Sequence, residues 1–279
     1  MPKRLRSPIT WFGGKGNMIA KLLPLLPPHH IYVEVFGGGA SLLLAKPPSK
    51  VEIYNDLDSR LINLFQVLRN PEQFEAFHKL AALTAFSRQE FEDALTRETD
   101  NPVERAWSFY TLARQSFSAN LKTWGYGRSS TARGMASMCS KWIGTIEMLP
   151  ELHARLLQVQ IEHDDWRKIL HRYDTPETFF YLDPPYVPTT RKSGGYQHEM
   201  TAADHAELVE HCQQLQGKVL LSGYPNPLYQ PLETTWRKIS WKTVCHAAGR
   251  TRLTGILGPG SATKSQPRTE AVWMNYTLQ

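Results

Sequence analysis

Four consecutive residues carry the most specific chemistry in the sequence: Asp183-Pro184-Pro185-Tyr186, directly after the apolar run Phe179–Leu182. Two prolines remove two backbone donors and stiffen the turn. A carboxylate, outward carbonyls and one aromatic face remain. That set accepts hydrogen bonds from an amino group and stacks on a flat ring, and the exocyclic amine of a nucleobase meets both demands. The carboxyl end of a sheet strand is also where open α/β sheets hold their ligands. The plainer alternative is a proline-rich turn with a capping Asp and a packed Tyr.

Three further groups could build a ligand site around that turn. Gly37-Gly38-Gly39 follows the apolar Ile31–Val35 and can bring helix N-terminal amides close to an anionic group. Leu42 stands where a dinucleotide fingerprint needs its third glycine, which disfavours a pyrophosphate-binding dehydrogenase. Asp56 ends a second strand signal, Val51–Tyr54, where an acid can accept both ribose hydroxyls of a nucleoside cofactor. It can equally cap the helix that follows. In Trp11-Phe12-Gly13-Gly14-Lys15-Gly16, Trp11 and Lys15 could cover a cofactor and pair with its carboxylate. A structural Trp and a solvated Lys is the simpler reading, and a tight turn is the simpler reading of the glycines.

These residues need a frame. The chain has 279 residues, enough for one large domain or one domain carrying an insertion. Strand signals fall at Ile31–Val35, Val51–Tyr54, Val159–Ile161, Thr178–Leu182 and Lys218–Leu221, with two more at Trp236–Val244 and Glu270–Leu278. A helix after Asp56 is predicted with Leu57, Leu61, Leu64, Phe65 and Leu68 on one face. Another is predicted over Ala202–Leu215, capped by Thr201 and Asp204. Residues 60–158 read as mainly helical. Ser87 with Glu90 and Asn101 with Glu104 have capping-box spacing, and Pro102 sits at a first helical position. The glycine-rich, basic and aromatic stretch Lys122–Met135 interrupts them as a hairpin or long loop. The expected architecture is an open α/β sheet contributed by residues 1–59 and 159–279, interrupted by a helical domain over 60–158 with a hairpin near 120–135.

Charge narrows the partner. The net charge is +6. From Arg105 to Ile146 the sequence holds Arg105, Arg114, Lys122, Arg128, Arg133 and Lys141 and no acid. From Thr234 to Thr269 it holds Arg237, Lys238, Lys242, Arg250, Arg252, Lys264 and Arg268, again with no acid. The rest of the chain is acidic, so the excess is confined to two blocks, as expected of a polyanion-binding surface. Cys139, Cys212 and Cys245 form no C-x-x-C pair, and no disulfide framework or zinc ribbon is expected. The ten histidines show no metal-ligand spacing. No apolar run reaches the roughly 18 residues of a membrane span, and a soluble, cytoplasmic protein is expected.

Taken together and in order, Trp11-Phe-Gly-Gly-Lys15, Val33-Glu-Val-Phe-Gly-Gly-Gly-Ala-Ser41, Asn55-Asp56 and Asp183-Pro-Pro-Tyr186 resemble the Dam-like (D12 class) DNA N6-adenine methyltransferases. The ending Arg268-Thr-Glu270-Ala-Val-Trp273-Met-Asn275-Tyr276 resembles that family's closing strand. The glycine loop departs from the pattern, with Val35 where many relatives have Pro. The resemblance implies a Rossmann-like methyltransferase sheet with a mainly helical target-recognition insertion, S-adenosylmethionine as methyl donor, and a monomer acting on double-stranded DNA in a bacterial or phage setting. It implies that Trp11 and Lys15 contact the cofactor, that Glu34 and Gly37 to Gly39 line its methionine side, and that Asp56 holds its ribose. Asp164, just ahead of the catalytic strand, would contact its adenine, with Asp165 as the competing candidate.

A flipped-out adenine would then stack on Tyr186. Asp183 and the Pro184 carbonyl would accept its two N–H bonds and aim the nitrogen lone pair at the methyl group. Asp183 thus faces both base and cofactor. Lys122, Arg128 and Arg133 would reach DNA from the hairpin, with Trp124 either filling the gap left by the base or packed inside. Arg250 and Arg252 would reach DNA from the second basic block. An RNA adenine or DNA cytosine-N4 methyltransferase, or a catalytically silent DNA-binding protein on the same fold, are the rival readings.

Overall fold

The computed structural model describes residues 4–187, 198–244 and 267–278. Its centre is a seven-stranded sheet of β1 (Ile31–Glu34), β2 (Val51–Asn55), β5 (Gln160–Glu162), β6 (Thr178–Leu182), β7 (Lys218–Gly223), β8 (Arg237–Val244) and β9 (Pro267–Met274). The spatial order is β5-β2-β1-β6-β7-β9-β8. The first five are parallel, β9 is antiparallel to β7, and β8 is antiparallel to β9. From β1 the chain moves outward to β2 and β5, then returns to place β6 on the other side of β1. The strand order therefore reverses between β1 and β6, which opens a crevice at their carboxyl ends. Every residue of β6 is buried, as expected of a central parallel strand covered on both faces.

Alternation along the strands divides the core. Tyr32, Tyr54, Phe179 and Tyr181 point to one face and meet Leu64, Phe65, Phe77, Tyr110 and Leu152. Val33, Ile53, Phe180 and Leu182 point to the other and meet Ile169 and Leu170 of α9 (Trp166–Tyr173) and Leu208 and Val209 of α10 (Ala202–Gln214).

Two short helices, α1 (Ile19–Leu22) and α2 (Ser41–Ala45), flank β1. Between β2 and β5 come α3 (Ser59–Arg69), α4 (Pro71–Leu83), α5 (Arg88–Thr96), α6 (Pro102–Gln115), α7 (Ser137–Ile146) and α8 (Leu149–Leu156). The caps follow the sequence: Ser87 accepts from the Glu90 amide, Asn101 from Val103 and Glu104, and Thr201 with Asp204 closes a full capping box. Between α6 and α7 lies the hairpin β3 (Thr131–Ala132) and β4 (Met135–Ala136). Its turn residues Arg133 and Gly134 have φ of 54° and 74°, the positive values a two-residue hairpin turn requires. The helical layer has no core of its own, because its apolar residues belong to the cluster that covers one face of the sheet. A buried carboxylate, Glu52 of β2, pairs with Lys46 and with Arg155 of α8, tying the layer to the sheet.

Two local expectations are corrected. Leu57 precedes α3 and is exposed, because Asp58 rather than Asp56 caps that helix by accepting from the Arg60 amide. The last strand is Pro267–Met274 rather than Glu270–Leu278: the Asn275 side chain bonds Val219 N and Gly217 O and ends the ladder.

Candidate active site

A solvent-open cleft lies at the carboxyl ends of β1, β2 and β6. Trp11, Lys15, Glu34, Gly37, Gly38, Gly39, Asp56 and Asp183 all line it. The strand switch thus brings together side chains from four separated stretches of sequence.

The glycine loop is fixed by its neighbours. The Gly37 amide donates to Asn55 O at 2.8 Å, the Gly38 amide to Asp56 Oδ2 at 2.8 Å, and the Tyr54 hydroxyl to Gly38 O at 2.7 Å. Gly38 has a φ of 49°, which favours glycine. At Gly37 a Cβ would stand 2.1 Å from Tyr54 Cε2, so the loop closes onto that ring. Asp56 also accepts from the Asp58 amide with Oδ1, and burial raises its pKa above that of an ordinary aspartate.

Asn55 was quoted in the sequence only as the neighbour of Asp56. Its buried side chain donates to Val35 O and Asp164 O and accepts from the Asp164 amide. It clamps the ends of β1, β2 and β5 into one floor. The Asp164 carboxylate turns to Lys168 and Arg172, at 3.0 and 3.1 Å, and does not line the cleft. Asp165 does line it, while capping α9. Of the two candidates for an adenine contact, Asp165 thus lies in the cleft while the Asp164 side chain turns away from it, and α9 separates both from β6.

Glu34 is buried at the base of the cleft. Its Oε2 accepts from the Tyr32 hydroxyl at 2.8 Å and the Leu43 amide at 2.9 Å. Burial outweighs these bonds and pushes its pKa up to about 8.

Lys15 is buried as well. Its Nζ donates to Asp183 Oδ1 at 2.7 Å and to the Tyr186 hydroxyl at 2.8 Å. Burial opposes the ammonium charge, but Asp183 and Glu270 outweigh it and raise the Lys15 pKa. Burial, partly opposed by Lys15, lifts the Asp183 carboxyl above an ordinary aspartate. The Tyr186 ring stacks on Tyr224, with centroids 4.1 Å apart and planes at 13°. Pro185 lines the cleft and Pro184 is buried beneath the turn.

Neither Tyr224 nor Glu270 was singled out as a site residue. Tyr224 had a readable signal, since it follows β7 as an aromatic just past a strand end. Glu270 is the lone acid of β9, but only sheet pairing shows what it reaches.

Lys122 and Arg128 are exposed beside the hairpin. Trp124 packs inward: its ring meets Phe86 and Tyr126, with the Arg88 guanidinium 4.8 Å from its centroid. Tyr126 is the more exposed aromatic there, at 56%. Arg133 pairs with Glu147 through two bonds of 3.1 and 2.9 Å. Arg250 and Arg252 lie outside the described residues. Among the described residues no group of three or more His, Cys, Asp or Glu gathers as a metal site, and no helix is long and apolar enough to cross a membrane.

Fold and cleft together define an α/β protein with an open cleft at the strand switch, lined by a glycine loop and the Asp183 carboxylate. The chain belongs to the D12 class N6 adenine-specific DNA methyltransferases, whose family model matches residues 11–244. It is 28% identical over 253 residues to the type II methyltransferase M1.LlaDCHI of Lactococcus lactis subsp. cremoris, covering 82% of this chain and 84% of that protein. It is 24% identical to the modification methylases StsI of Streptococcus sanguinis and LlaI of Lactococcus lactis subsp. lactis, covering 67% and 66% of this chain. Each of those matches spans 30% of the relative's own length.

Proposed function

We propose that this DNA adenine methyltransferase acts as a monomer on double-stranded DNA and transfers a methyl group from S-adenosylmethionine to N6 of a flipped-out adenine. The observation that carries this reading is that Asp183 and the glycine loop line one cleft at the strand switch. The lining fits the cofactor. The glycine loop lines the cleft, and its missing Cβ atoms let it close against Tyr54, Trp11 and Ser7. Asp56 offers a carboxylate to ribose hydroxyls, Asp165 an acceptor to an adenine amine, and Glu34 a carboxyl oxygen to an ammonium. When bound, the cofactor supplies an electrophilic methyl group on a sulfonium.

The chain's residues do the rest by positioning and fixed dipoles. Tyr186, backed by Tyr224, gives the base a flat surface. Asp183 and the Pro184 carbonyl accept the two N6–H bonds, which turns the nitrogen lone pair out of the ring plane and toward the methyl carbon. As the nitrogen takes the methyl group, the methyl–sulfur bond would break to leave a neutral thioether, and the nitrogen would give one proton to Asp183 and from there to solvent. Lys15, bonded to Asp183, partly offsets the effect of burial on that carboxyl. It also stands within the cleft, able to meet the cofactor's carboxylate. Lys122, Arg128, Arg133 and the second basic block with Arg250 and Arg252 would supply phosphate and base contacts. For Arg133 the exposed pair with Glu147 is weak enough to exchange for a phosphate. Trp124 supports Tyr126 on the same surface.

The test is to incubate the purified protein with S-adenosylmethionine and unmethylated duplex DNA, then map modified bases by single-molecule sequencing. N6-methyladenine supports the proposal, and its distribution gives the target sequence. N4-methylcytosine, or methylation of RNA alone, overturns the substrate. Cofactor binding without transfer to any nucleic acid overturns the reaction.

A further inference from the structure

We propose that Glu270 is a positioning residue for methyl transfer, acting through the Tyr186 hydroxyl. This deepens the methyl-transfer reading of the cleft and rests on it.

The sheet explains how so distant a residue reaches the site. β9 runs antiparallel to β7, with Ala271 opposite Gly223, so the start of β9 lies at the same edge as the carboxyl ends of β6 and β7. Glu270 therefore comes beside Tyr186, 84 residues earlier in sequence, and its Oε1 accepts from the Tyr186 hydroxyl at 2.9 Å. The residues that follow it, Ala271, Val272, Trp273 and Met274, are all buried and apolar. Glu270 itself is 8% exposed. Its Oε2 makes no hydrogen bond among the described residues and stands 3.9 Å from Lys15 Nζ. A buried carboxylate with so little satisfaction is costly in a strand that could carry an apolar residue.

The arrangement gives that carboxylate a use. The phenol of Tyr186 donates to Glu270 and accepts from Lys15, so its ring is held at both sides of the oxygen. The position of the ring's tip is then fixed by Lys15 and Glu270, while stacking on Tyr224 fixes the plane of the ring. A base stacked on a ring so held has its amine set relative to Asp183. Small losses of alignment at a reacting atom cost large factors in rate. Glu270 also shares the Lys15 ammonium with Asp183, which leaves more of the Asp183 acceptor capacity for the incoming amine.

The test is a double-mutant cycle over Glu270→Ala and Tyr186→Phe, with Glu270→Gln as the conservative variant. Single-turnover methylation of unmethylated duplex DNA is measured at saturating S-adenosylmethionine, with cofactor Kd measured separately. Each single variant is expected to slow transfer about tenfold or more with cofactor Kd little changed, and the double variant to be no more than about threefold slower than either. Glu270→Gln, which keeps an acceptor for the phenol, is expected to recover part of the rate. A merely structural role would move stability but not produce this coupling. If Glu270→Ala fails to fold, the same cycle is run with Glu270→Gln. Wild-type rate in the Glu270 variant, or losses that multiply in the double variant, would overturn the proposal while wild-type methylation still stands. Absence of methylation by the wild-type protein would overturn the methyl-transfer reading and this one with it.

Discussion

Asp183 meets the reaction already bonded to an ammonium, and this shapes what its removal should do. Asp183→Ala removes the acceptor for the target amine but none of the loop contacts made by Asp56, Asn55 and Tyr54. Methylation is expected to fall by at least about a hundredfold, with cofactor affinity changed far less. Labelled-methyl transfer and calorimetric cofactor titration check both. Near-wild-type transfer would refute the assignment. Glu34 predicts a pH effect with a definite sign. Its folded pKa of about 8 lies above the ordinary 4.5, so the folded state holds the extra proton between those values. Stability from this group is therefore present at low pH and lost as pH rises toward 8. His205, buried and pushed down to about 4, acts in the opposite sense between about 4 and its ordinary 6.5. The Glu34 effect is thus expected to dominate from pH 6.5 to 8, and Glu34→Gln to flatten the fall in urea midpoint across that interval. An unchanged slope would refute the assignment of the proton to Glu34.

The elements were legible because their signals are local. Strand, glycine turn and helix around Gly37, and the apolar run into Asp183, depend on nearest neighbours along the chain. Local sequence leaves the capping of α3 open, because Asp56 and Asp58 are both suitable acids two residues apart. Only the position of Gly38 decides that Asp56 serves the loop. Gly37→Ala tests the tight closure of that loop. Its Cβ would collide with Tyr54, which is fully buried and anchored through its hydroxyl. A loss of about 1–3 kcal/mol is expected, read by urea denaturation, with weaker cofactor binding. At the hairpin, Arg128 is exposed and its guanidinium lies 5.8 Å from the Tyr126 ring centroid. If it contacts phosphate, Arg128→Ala lowers affinity equally for all duplexes and reduces the salt slope. A changed set of methylated sites shows instead that it reads bases.

At the scale of the whole molecule, the helical layer and the sheet share one core and one buried charge cluster. Arg155 of α8 donates to Leu43 O, and the Leu43 amide donates to Glu34, so a single residue joins the helical layer to the floor of the cleft. Arg155→Leu leaves Glu52 buried with Lys46 as its remaining cation. A destabilisation of about 3–5 kcal/mol is expected, measured by equilibrium unfolding. A change under about 1 kcal/mol would show that the cluster is not what joins the layers. The sequence by itself determined most of the strands, the caps of α5, α6 and α10, the run of helices between β2 and β5 and the ordered motifs that carry the family, because each is written in adjacent residues or in a fixed period. Tertiary structure alone decided that Lys15 bonds Asp183, that Asp165 rather than Asp164 faces the cleft, that Tyr224 backs Tyr186, and that Glu270 joins the site from an antiparallel strand. Those contacts depend on strand order and register, which bring distant residues within hydrogen-bond reach and leave no periodic trace along the chain.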